Sequence, residues 1–231
     1  MNLRLKKRSN SALTIVEVLF IVVVLILLVV TFLPLFSRAR IRGGHNCITN
    51  LMQIDLSFNI WAGDNNNKFP KDVSVANGGA MELVATGNAA GCFLVISNEL
   101  NTPKILVCPA DFHRTAATNF GNDFNNSHIS YLIDIDAATN YPHRLLCGDD
   151  NFEVGGSPIK SGVALLSTNM AVIWGPGRHG DVPVHHFWTK TPHHFVGNLG
   201  FADGRVTEAG DDGLQSAIQQ AGLTTNRFAI P

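Results

Sequence analysis

Nine histidines lie in the 231-residue chain, and five of them, His179, His185, His186, His193 and His194, fall within sixteen residues. Imidazole nitrogens together with a carboxylate such as Asp203 suit zinc or iron. The surrounding pattern does not complete a hydrolase. There is no His-Glu-x-x-His, no Gly-x-Ser-x-Gly elbow and no phosphate-binding glycine loop. Residues 198–206 read instead as a β-hairpin, with Asp203-Gly204 in the two positive-φ positions of a type I′ turn and Leu199, Phe201 and Val206 as its apolar side chains. In that reading His193 caps or hydrogen-bonds nearby backbone. Asp149 and Asp150 stand in the run Gly148-Asp149-Asp150-Asn151, which reads as a solvated acidic turn rather than an acid/base pair. Asp64 and Asn66 open like a calcium loop, but Lys68 occupies the next ligand position and no distal glutamate follows in step. No catalytic residue, metal ligand or cofactor is assigned, and the chain is expected not to be an enzyme.

Four cysteines, Cys47, Cys92, Cys108 and Cys147, are candidates for disulfides. None forms a Cys-x-x-Cys pair, which argues against a zinc ribbon. In an exported domain they would give one or two bridges; the alternative is reduced, buried thiols.

The elements that must carry these groups begin with 13–36, LTIVEVLFIVVVLILLVVTFLPLF, whose one charge is Glu17. Twenty-four residues give about 36 Å of helix, enough to cross a hydrocarbon core of about 30 Å. The preceding residues carry Arg4, Lys6, Lys7 and Arg8 and no acid. A secretory signal peptide is disfavoured, because the apolar run is long and Ser-Arg-Ala-Arg follows it in place of a small-x-small site. A carboxylate near the start of a lipid-facing helix needs a partner. Cleavage between Ala12 and Leu13 would supply one, as a new α-amino group.

Cys47, Leu51, Ile54, Phe58 and Trp61 follow at spacings of 4, 3, 4 and 3, a stripe on one helix face that packs on a sheet. Gly43-Gly44 is a point where this stem can flex or break, and 64–70 ends it. Beyond it we expect a short helix at 80–85, helix or strand at 92–100, strands at 104–107, 130–136, 144–147 and 171–174, the hairpin, and a last helix at 214–220 capped by Asp211-Asp212. The fold class is therefore α+β: a long N-terminal transmembrane helix and stem on a C-terminal antiparallel sheet. The divisions are 1–12 (basic leader), 13–36 (span), 37–63 (amphipathic stem) and 64–231 (globular domain). A net charge of −1 gives no field for nucleic acid.

Ser11-Ala12-Leu13-Thr-Ile-Val-Glu17-Val-Leu19 resembles the processing site of type IV pilins and type II secretion pseudopilins. The resemblance implies cleavage by the prepilin peptidase after Ala12, methylation of Leu13, Glu17 as the assembly glutamate and Pro34 as the helix-bending proline. The family usually has Gly and Phe where this chain has Ala12 and Leu13. A second resemblance covers Cys47…Asn50-Leu51-x-Gln53-Ile54, Ser97-Asn-Glu-Leu-x-Thr-Pro103, Cys108-Pro-Ala-Asp111, Ser130-Tyr131, and His193 followed by nine residues and then Asp203-Gly204. These segments are similar to the planctomycete–verrucomicrobial set of pilin-like proteins with a His-x9-Asp-Gly signature.

The resemblance implies a structural subunit of a type II secretion pseudopilus or type IV pilus-like fibre. Its partners would be the prepilin peptidase, other pilin or pseudopilin subunits, the assembly machinery and membrane lipid. It would cross the bacterial inner membrane once, N-terminus cytoplasmic and C-terminal domain periplasmic, and after assembly reach the cell surface. The competing expectations are a membrane-tethered module or minor tip subunit binding an extracellular ligand such as a polysaccharide, through long loops and Trp188, and a tethered metallohydrolase.

Overall fold

The computed structural model describes residues 15–109, 111, 113–175 and 196–231, without the side chains of 30–46. It divides into two compact units, Met1–Arg42 and Gly43–Pro231. Helix α1 spans Ile15–Asp64, its backbone helical through Pro34 and through Gly43 and Gly44, so the glycine pair does not end it.

In the first unit the described side chains, 15–29, are all exposed, and every one except Glu17 is apolar. Among the described residues no helix is long and apolar enough to cross a membrane. Those described side chains are fifteen of the twenty-four residues in the run 13–36.

In the second unit the stripe behaves as its spacing predicts: Cys47, Leu51, Ile54, Phe58 and Trp61 are all buried. Asn65 Nδ2 donates to the Trp61 carbonyl at 2.8 Å as the helix finishes. Asn66 and Asn67 then take left-handed φ values of 56° and 53°, which asparagine tolerates better than most residues. Short helices follow at α2 (Met81–Val84), α3 (Ala89–Val95) and α4 (Ser97–Leu100). The strand expected at 104–107 is instead a 3-10 helix, Pro103–Leu106. Pro103 presets φ in its first turn, and the Thr102 hydroxyl accepts from Lys104 N–H at 3.4 Å, so local capping outweighs the apolar run.

The main sheet uses β1 (Tyr131–Asp134), β2 (Leu145–Asp149), β5 (Gly162–Ser167), β7 (Gly197–Phe201), β8 (Val206–Ala209) and β9 (Thr225–Ile230) in the order β5-β9-β1-β2-β7-β8. Every neighbouring pair is antiparallel. A small sheet holds β3 (Phe152–Val154) between β4 (Ser157–Pro158) and β6 (Val172–Trp174). One face of the main sheet closes a core with α1 and α3 that includes Leu51, Phe58, Phe93, Tyr131 and Ile133. The other closes a second core with α5 (Asp211–Gln219) and β6, through Trp174, Leu199, Leu214, Ile218 and Phe228. The α+β class with an antiparallel sheet is thus present.

Two local expectations change. In the β7–β8 hairpin only Gly204 has positive φ, at 82°. Gly204 N–H donates to the Phe201 carbonyl at 2.8 Å and Phe201 N–H to the Arg205 carbonyl at 2.9 Å, a three-residue loop with a glycine bulge in place of the type I′ turn. Asp203 stays at negative φ and accepts from Arg205 N–H at 3.0 Å, so its side chain stabilises a turn that does not strain it. Val206 pairs with Gly200 and packs with the α1 side, while Leu199 and Phe201 face the other core. At α5, Gly210 holds the cap position and Asp211 and Asp212 lie inside the first turn. They act there on the helix dipole, and Asp211 Oδ1 also accepts from Trp174 N–H at 2.7 Å.

Candidate functional site

Two places in the described chain set it apart from an ordinary α+β domain. The first is the segment 15–29 of α1. Ile15 is 87 % exposed and the central Leu25, Ile26 and Leu27 are each more than half exposed. A helix apolar on all sides asks for an apolar surrounding, either lipid or other helices. Glu17 sits in its first turn, where the helix dipole favours a carboxylate.

The second is an acid buried in the face that α1 turns to the sheet. Asp55 lies four residues after Leu51 and three before Phe58, within the apolar stripe, and is wholly buried. The Cys147 thiol on β2 donates to its Oδ1 at 2.8 Å. On β7 its carboxyl group rests over Gly200, whose missing side chain leaves the room; a Cβ there would overlap the carboxyl atoms. Burial pushes the Asp55 carboxyl up to about 8, against the lowering hydrogen bond from Cys147, with the Asp203 charge adding to the rise. Burial and then Asp55 hold the Cys147 thiol well above its usual range, so it is no nucleophile. The neighbouring Tyr131 hydroxyl is likewise raised by burial and by Asp149.

Asp149 and Asp150 correct the expectation of a solvated turn: both are buried. Asp149 Oδ2 accepts from the backbone and side-chain N–H groups of Asn198, at 2.6 and 2.8 Å. Asp150 Oδ2 accepts from Arg114 Nη2 at 2.8 Å. These partners are 49 and 36 residues away in sequence, so each acid reads locally as a turn and meets its hydrogen-bond donors only in the fold. Arg144 is a further buried charge that local pattern did not single out. It bonds Asp134 Oδ2 at 2.9 Å, Asn226 Oδ1 at 3.0 Å and the Ala221 carbonyl at 2.8 Å.

Of the sequence-predicted residues, Ala12, Leu13, His179, His185, His186, Trp188, His193 and His194 lie outside the described residues, as does the side chain of Pro34. Asp203 and Gly204 form the hairpin loop, with His143 Nδ1 3.6 Å and Arg205 Nε 3.8 Å from Asp203 Oδ2. Cys47 and Cys108 form a disulfide, Cα–Cα 5.0 Å. Cys92 and Cys147 are free thiols buried in the same core, so the described chain holds one bridge of the expected one or two. Among the described residues no group of three or more His, Cys, Asp or Glu could hold a metal ion. No family model, curated protein or solved structure matches the chain.

Proposed function

We propose that this chain is a pilin-like structural subunit, cut by a prepilin peptidase and assembled through its N-terminal helix into a pseudopilus or pilus-like fibre. The observation that carries the reading is the helix of 15–29, apolar on every side, fully offered to its surroundings, with Glu17 in the first turn. In the bacterial inner membrane the run 13–36 would lie in lipid with the domain periplasmic; in the fibre, copies of the same helix would replace lipid. Glu17 then meets the freed α-amino group of Leu13, in its own chain or a neighbour's. The Cys47–Cys108 disulfide supports an oxidising compartment for the second unit.

Mass spectrometry of the protein from its native cell tests this. The expected N-terminus is Leu13, methylated. A terminus at Met1, or one beyond residue 30, overturns the processing step. Glu17→Val should leave the chain in the membrane and abolish its incorporation into fibres.

A further inference from the structure

The main sheet ends on β5, and nothing among the described residues pairs with its outer edge. Native sheets protect such edges with charge, proline, a bulge or a short strand. The opposite edge, β8, follows that practice with four residues and Glu208. β5 does not. It is six residues long, Gly-Val-Ala-Leu-Leu-Ser, without charge or proline, and it runs in unbroken register with β9.

The direction of its free groups follows from the ladder. Arg227 turns both backbone groups toward β1, its N–H to Asp136 Oδ2 and its carbonyl to Ile135 N–H. By alternation Phe228 faces β5, where it pairs with Ala164. Ala164 and Leu166 therefore bond inward, while Val163, Leu165 and Ser167 present their N–H and C=O groups outward. One of these six is already bonded and another is crowded, both at the ends. The Ser167 carbonyl accepts from Met170 N–H at 3.0 Å, and Gly87 lies so close that any side chain on it would meet Gly162 and the Val163 amide. The side chains of Val163 and Leu165 are 42 % and 59 % exposed.

We infer that β5 is a docking edge for β5 of a second copy of this chain, antiparallel about a two-fold axis through Leu165. This register uses the groups that are left. Leu165 exchanges both bonds with Leu165 of the other copy, and each Ser167 N–H donates to the opposing Val163 carbonyl. The Ser167 carbonyl, already occupied, and the Val163 amide, crowded by Gly87, are not asked for. The Leu165 side chains meet across the axis, and no like charges oppose one another along the strand, since Lys160 falls opposite Met170. An interface this short is weak in dilute solution and gains from any tether that holds copies together.

The test uses the full chain in detergent micelles. Leu165→Cys treated with a short bifunctional thiol cross-linker should give a covalent dimer, and Ile173→Cys, exposed on β6, should not. In the wild-type chain the Leu165 and Ser167 amides should gain exchange protection as concentration rises. Leu165→Lys, which sets two ammonium groups against each other, should weaken dimerisation about tenfold or more without lowering the melting temperature. Equal cross-linking of the two variants, unprotected Leu165 at dimer concentrations, or association untouched by Leu165→Lys overturns the inference. So do open, growing chains of copies, which β5 pairing with a neighbour's β8 would produce.

Discussion

The Cys147 thiol donates to Asp55 Oδ1 at 2.8 Å across the contact between α1 and the sheet, inside the larger core. Folding keeps that carboxyl protonated up to about 8, whereas an exposed aspartate releases its proton near 3.8. Between those values the folded chain binds the proton and the unfolded chain does not, so stability falls as pH rises through the window and levels above it. Asp134, held up to about 6 by burial against the pull of Arg144, slopes the same way in the lower part. Of these two acids, only Asp55 slopes the range from about 6 to about 8. Asp55→Asn keeps the shape and stays neutral. Its stability relative to wild type should grow between pH 6 and 8, measured by urea unfolding; a difference constant with pH would refute the protonated acid.

Gly200 gives that carboxyl its place. Gly200→Ala puts a methyl group onto the Asp55 carboxyl atoms, between a packed helix and a central strand where neither can retreat. Destabilisation of about 1–3 kcal/mol is expected. Asp55→Ala should recover part of it, because the clash is with that side chain. A thermodynamic cycle over the two positions measures the coupling, and additive effects would contradict the contact.

Much of this arrangement was open to sequence reading and some was not. The stem stripe was legible because five apolar residues at helical spacing have one economical burial. Asp55 itself was within reach, since positions 51, 54, 55 and 58 share a face. Strand β9 was hidden: Asn226 and Arg227 break its apolar pattern. Asn226 is buried only because the Ile218 carbonyl and Arg144 satisfy it. Asp203-Gly204 fits either a type I′ turn or a glycine bulge, and only the backbone distinguishes them. The buried acids 149 and 150 depend on residues distant in sequence, which no local window contains.

The Cys47–Cys108 bridge joins α1 to the loop after the Pro103–Leu106 turn across 61 residues of sequence. Closing a loop of that size removes about 4 kcal/mol of chain entropy from the unfolded state. Reduction, or Cys47→Ser with Cys108→Ser, should therefore cost a few kcal/mol in denaturant unfolding. Cys92→Ala and Cys147→Ala should leave the dependence on reductant unchanged, since neither thiol is bridged.

Arg144 is a buried cation that ties three parts of the chain together. Its guanidinium joins Asp134 on β1, Asn226 on β9 and the carbonyl after α5, all with little solvent access. Arg144→Met leaves Asp134 buried without its counter-charge, and a loss of about 3–5 kcal/mol is expected at neutral pH. The loss should shrink toward pH 5, where Asp134 takes up a proton and no longer needs the cation. Replacing both partners, Arg144→Met with Asp134→Leu, should restore most of the stability by removing the stranded charge. If the double variant is as unstable as Arg144→Met alone, the guanidinium serves through Asn226 and Ala221 rather than through the ion pair.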